Sequence, residues 1–91
     1  MSAARYSLRY SRTAIRTVES DKLPISVIDA ALAFIETELA DQPRLVGKPL
    51  LPPFDGQWVA RRGSYRITYE ISDRVISIID ITHRSDTYRN P

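Results

Sequence analysis

The chain has 91 residues, no cysteine, a single histidine and a formal net charge of +2. That length allows one modest core and so one domain over residues 1–91, while the missing thiols exclude disulfide staples, zinc–cysteine sites and thiol nucleophiles. No apolar run approaches the roughly 20 residues that cross a bilayer, and the first residues lack the apolar centre of a secretory signal, so a cytoplasmic protein without membrane attachment is expected.

Charge is unevenly distributed. Residues 1–42 carry five basic and six acidic groups, residues 43–91 eight basic and five acidic, so positive charge gathers in the second half. Eleven of the thirteen cations are arginine, whose planar fork binds phosphate or carboxylate through paired hydrogen bonds.

Residues 6–10, YSLRY, alternate as a short strand with Tyr6, Leu8 and Tyr10 on one face. Ser11 is placed to cap a helix over 12–21, in which Ala14, Ile15 and Val18 share a side. Pro24 suits the first turn of a second helix reaching about residue 40. There Ile28, Ala31, Leu32, Ile35 and Leu39, widened by Val27 and Phe34, form a core stripe. Residues 44–54 contain Pro49, Pro52 and Pro53 and read as an irregular surface loop. Lys48, beside Gly47 in this loop, meets either a phosphate or only water.

The stretch 58–71, WVARRGSYRITYEI, reads as two strands joined at Gly63. Tyr65, Ile67, Tyr69 and Ile71 face one way, with Arg66, Thr68 and Glu70 facing the other. A tight turn at Ser72-Asp73 leads into a last strand over 75–82. The order β-α-α-β-β-β predicts an α+β fold: a small, mainly antiparallel sheet with a helical hairpin packed on one face. A three-residue turn between the last strands sets Arg66 across from Asp80; a two-residue turn shifts the partners by one.

Arg66, at a strand centre among apolar neighbours, needs a partner, either a cross-strand Asp80 or Glu70 or an anionic ligand. Arg61 and Arg62 at the Gly63 turn, with Arg84 and Arg89 downstream, are placed to line one rim of the sheet as a phosphate-binding concavity. His83 either fixes the end of the last strand or transfers protons. Tyr88 either packs in the core or stacks on an unpaired base.

Together, RLVGKPL, the GxYRxxY core at Gly63, Tyr65, Arg66 and Tyr69, and an apolar strand ending in ITHRSDTYR resemble the RelE/ParE superfamily of bacterial toxins, across residues 6–89. The resemblance implies a type II toxin neutralised by a cognate antitoxin in a hetero-oligomer. RelE-like members cut messenger RNA in the ribosomal A site, with the ribose 2′-OH attacking its own phosphate, so neither metal nor cofactor is implied. By position, Arg66 corresponds to the central catalytic arginine, Arg84 to the arginine after the last strand, Tyr88 to the C-terminal tyrosine and Arg61 to a basic residue on the preceding strand. The best-known RelE enzymes carry two lysines on that strand, where this chain has Gln57 and Val59; His83, Arg62 and Lys48 are the groups at hand to compensate. The alternatives are a ParE-like gyrase inhibitor without nuclease activity, or a degenerate toxin that only binds its antitoxin.

Overall fold

A computed structural model describes residues 6–83. The elements are β1 (Ser7–Tyr10), α1 (Arg12–Glu19), α2 (Ile25–Phe34) extended by a π-helical turn (Ile35–Leu39), α3 (Pro43–Val46), β2 (Lys48–Pro49), β3 (Gln57–Arg62), β4 (Tyr65–Ser72) and β5 (Val75–His83). The strands form one mixed sheet in the order β1-β5-β4-β3-β2, in which only β1 and β5 run parallel. This is the expected α+β arrangement with two additions from the proline-rich stretch. Pro43 opens α3 at its first position, where no amide hydrogen is needed. Pro49 sits on a two-residue edge strand, where a missing donor is tolerated.

Ser11 caps α1, its hydroxyl accepting from the Ala14 amide at 3.0 Å. The helix stops two residues short of the expected end because both the amide and the hydroxyl of Ser20 bond back to the Thr17 carbonyl. Of the three apolar residues expected to face inward, Ala14 is buried and Val18 packs against the core, but Ile15 is 44% exposed. In α2, Ile28, Ala31 and Phe34 are buried, and the π-helical turn adds Ile35 and Leu39. Thr37 donates its hydroxyl to the Ala33 carbonyl at 2.7 Å, a side-chain bond that competes with the regular ladder where the helix widens.

Under the helices β4 contributes Tyr65, Ile67 and Tyr69 to the core, and β5 contributes Ile76, Ile78 and Ile81. The change of parity in β5 comes from a bulge. Tyr69 pairs with Ile78 but Thr68 pairs with Asp80, leaving Ile79 as the extra residue. The β4–β5 turn has two residues, Asp73 and Arg74, with Ser72 paired to Val75 and Asp73 at φ 55°. Turn and bulge together place Arg66 across from Thr82, rather than across from Asp80 as a three-residue turn would have set it.

The bulge is closed from both sides. The Asp80 carboxylate accepts from the Ile81 amide at 2.8 Å and from the Thr17 hydroxyl at 3.3 Å, while the Ser11 hydroxyl donates to the Ile79 carbonyl at 2.6 Å. At the far end of the sheet, the buried Tyr69 hydroxyl donates to the Pro43 carbonyl at 2.6 Å. Among the described residues no helix is long and apolar enough to cross a membrane.

Two predictions follow from these anchors. Ser11→Ala removes a helix cap and leaves the Ile79 carbonyl without its partner, for an expected loss of about 2 kcal/mol. Ser11→Asp keeps capping capacity but has no hydroxyl to donate, so urea denaturation should show it failing to restore wild-type stability; full restoration would mean the cap alone matters. Burial pushes the Tyr69 phenol up to about 12 from its ordinary value of 10.0. The unfolded chain therefore releases this proton before the folded one does. The contribution is fully present below pH 10 and is lost as pH rises through about 12. The urea midpoint should fall across that window, and Tyr69→Phe should flatten the fall.

Candidate functional site

Successive side chains in β3 and β4 alternate between the two faces of the sheet. Ala60, Tyr65, Ile67 and Tyr69 are buried beneath the helices. Gln57, Val59 and Arg61 of β3, and Arg66, Thr68 and Glu70 of β4, therefore lie on the opposite, open face. Arg61 is directly across from Arg66, and one step along the sheet Lys48 is directly across from Val59. Lys48 and Arg61, with Val46, Gly47 and Val59, line a depression of about 430 Å³.

Three cations thus share one corner of the open face. Among the described residues, Lys48, Arg61 and Arg66 have neither hydrogen-bond nor ion-pair partners from their side chains. Like charges directly opposite in a sheet repel, by about 1 kcal/mol for two unit charges at such spacing in water. A phosphate lying across Arg61 and Arg66 removes that repulsion and satisfies both planar forks.

Other arginines are engaged in holding the fold. Arg44 donates to the Tyr6 hydroxyl at 2.9 Å, and Arg74 lies over the Tyr6 ring at 5.9 Å. Arg62 does not join Arg61. It pairs with the inward-facing Tyr65, forms two hydrogen bonds to Glu38 at 2.8 and 3.1 Å, and lies over the Phe34 ring at 4.9 Å. Those hydrogen bonds, then the Glu38 charge, raise its pKa. Burial raises the pKa of the neighbouring Tyr65, with Arg62 opposing and Glu38 adding. His83 is also paired with Tyr65, so its register assigns it to the helix side of the strand end. Arg84, Tyr88 and Arg89 lie outside the described residues. Among the described residues no group of three or more His, Asp or Glu is arranged to hold a metal ion.

The sequence model of a family described as "ParE toxin of type II toxin-antitoxin system, parDE" matches residues 8–88. The chain belongs to the RelE/ParE toxin family. It is 38% identical to toxin RelG of Mycobacterium tuberculosis over 86 residues, covering 92% of this chain and 97% of that relative. Toxin RelE of the same organism is 37% identical over 89 residues, covering 94% of this chain and 90% of the relative. A chain in the crystal structure of the toxin–antitoxin complex RelBE2 from M. tuberculosis superposes with a TM-score of 0.83 at 36% identity, covering 88% of this toxin and 99% of that chain.

One residue near the site has a role that the loop reading of 44–54 missed. A Cβ on Gly47 would run into the Tyr69 hydroxyl and meet the Val59 carbonyl at 2.9 Å. Only glycine lets β2 lie this close to the Tyr69 phenol, and that approach fixes Lys48 beside Arg61. The sequence signal was the Gly-Lys dipeptide itself, whose glycine serves packing.

Because the site arginines repel while Arg62 is engaged, stability should separate them. Arg61→Ala and Arg66→Ala should leave stability within about 0.5 kcal/mol of wild type or raise it. Arg62→Ala should lower the urea midpoint, with the loss shrinking at high salt as the ion pair is screened. A large loss on removing Arg66 would show instead that its charge is satisfied within the fold.

Proposed function

We propose that this one-domain toxin is a ribosome-dependent mRNA endonuclease that arrests translation in the cytoplasm. The observation that carries the reading is the facing pair Arg61 and Arg66, without partners among the described residues and flanked by Lys48. Such a corner suits a phosphodiester backbone better than a neutral ligand.

The nucleophile is the substrate's own 2′-OH, attacking the adjacent phosphorus in line and expelling the 5′ oxygen of the next nucleotide. A cyclic phosphate and a free 5′-OH result. No metal is required to generate the nucleophile. Arg66 contacts the non-bridging oxygens of the scissile phosphate and stabilises the charge that builds on them, with Arg61 helping from across the ladder. Lys48 holds a neighbouring phosphate and supplies a cation across from Val59, one of the two positions where the best-known family enzymes carry lysine. Arg84 and Arg89 supply further cations for the RNA backbone, and Tyr88 orients a base by stacking. His83 lies on the helix side of the end of β5, away from Arg66, so proton transfer falls to other groups.

The RelBE2 relative is a toxin–antitoxin complex, and a cognate antitoxin is the proposed partner here. An acidic segment of such a protein, folding as it binds, would neutralise the same cations and block access of RNA.

A second reading rests on the ParE description of the matching family: inhibition of DNA gyrase without nuclease activity. One experiment separates them. Wild type and Arg66→Ala are induced in cells, new 5′ ends on mRNA are mapped, and plasmid supercoiling is assayed from the same cultures. Cleavage within codons is expected from wild type and a loss of at least about 100-fold from Arg66→Ala. Intact mRNA with altered supercoiling would transfer the toxin to the gyrase reading, and unimpaired growth with neither effect would mark a degenerate toxin.

A further inference from the structure

The loop between β2 and β3 carries a feature that neither the core nor the cationic corner uses. Residues 51–56 are all exposed, and four of them in succession, Leu51, Pro52, Pro53 and Phe54, are apolar. Leu51 is 79% exposed and Phe54 56%. Runs of this kind on a surface call for a functional reason.

The loop is also well defined. The Leu50 amide donates to the Gln57 carbonyl at 2.8 Å, the Phe54 amide to the Leu51 carbonyl at 3.0 Å and the Gln57 amide to the Phe54 carbonyl at 3.0 Å. Two prolines fix further backbone angles. The aromatic ring is thus displayed on an ordered tip, and little conformational freedom is lost when it is covered.

We propose that Phe54 is a base-stacking subsite for single-stranded RNA flanking the phosphate held by Arg61 and Arg66. The inference rests on the nuclease reading and deepens it. Its support is continuity: the loop springs from the two strands that carry Lys48 and Arg61, so one ligand reaching both must combine anionic charge with flat apolar surface. Single-stranded nucleic acid does so, phosphates tracking the cations and a base lying on the ring. Four residues are too few for a stable protein interface, which needs about 800 Å² from each partner, whereas one ring covers one base. A strand rise of about 3.3 Å per residue sets Gln57, at the base of the loop, about 13 Å from Arg61. The stacked base would therefore lie a few nucleotides from the cut.

The test uses purified toxin with ribosomes carrying a defined mRNA, comparing wild type, Phe54→Leu, Phe54→Tyr and Arg66→Ala in single-turnover cleavage. Phe54 is exposed, so these variants should fold, and circular dichroism checks that they do. Phe54→Leu keeps an apolar side chain but no ring. It should raise the toxin concentration for half-maximal cleavage about 10-fold while leaving the saturated rate unchanged, and Phe54→Tyr should restore the wild-type value. 2-Aminopurine placed in turn at nucleotides flanking the cut should report a stacked position that Phe54→Leu abolishes.

Wild-type behaviour of Phe54→Leu, with Arg66→Ala still inactive, would overturn the stacking subsite and leave the nuclease reading standing. Absence of cleavage by wild type would overturn both. Unchanged cleavage by Phe54→Leu accompanied by weakened antitoxin binding would reassign the tip to a protein partner and overturn the RNA subsite.

Discussion

Asp80 cannot enter the core, and one extra residue in β5 keeps it out. Ile76 and Ile78 point inward, and uninterrupted alternation would send Asp80 after them. The bulge at Ile79 turns Asp80 aside and hands the next core position to Ile81. A bulge also disrupts the ladder, and side chains meet two of the backbone groups here: Asp80 accepts from the Ile81 amide, and Ser11 donates to the Ile79 carbonyl while starting α1. The same slip moves the partner of Arg66 by one residue, to Thr82. One local irregularity thus builds the core and fixes the first helix.

A second constraint acts at the other end of the sheet. Tyr69 is fully buried, and its hydroxyl is satisfied by the Pro43 carbonyl. Trp58 stacks beside it, with ring centroids 6.5 Å apart. The phenol can reach Pro43 only because Gly47 has no side chain to obstruct it. That contact ties α3 and β2 to β4 and carries Lys48 to its place across from Val59. The polar end of one core tyrosine therefore sets the position of a surface cation.

These two contacts also mark where sequence reasoning succeeded and where it stopped. Alternation across the GxYRxxY stretch was strong enough to give both strands and the faces of Tyr65, Arg66, Ile67 and Tyr69, because a half-buried strand has a period of two whatever its neighbours do. Ser11 as a cap was legible for a similar reason, since capping is local chemistry. The bulge was not: Ile78-Ile79-Asp80-Ile81 fits several registers, and only packing against the first helix selects one. Nor was β2, because prolines suppress a strand signal and a two-residue edge strand exists only through its partner. Arg62 was grouped with Arg61 because adjacent residues look alike in sequence, yet on a strand they face opposite sides, and Glu38 and Phe34 claim the second of them.

The distribution of arginines carries this one step further. Arg44, Arg62 and Arg74 each meet a ring or an oxygen that belongs to the fold, so their charges are compensated whether or not a ligand is present. Arg61 and Arg66 face each other, with Lys48 one ladder step away. Among the described residues nothing offsets the cost of that arrangement, which on the proposed reading an anionic ligand would recover. On the proposed reading this also accounts for Gln57 and Val59. Gln57 lies across from Glu70, where a lysine would be partly neutralised, whereas Val59 lies across from Lys48. The sheet can deliver the same positive field from either strand of a facing pair, so a lysine absent from one strand is compensated by its neighbour on the next.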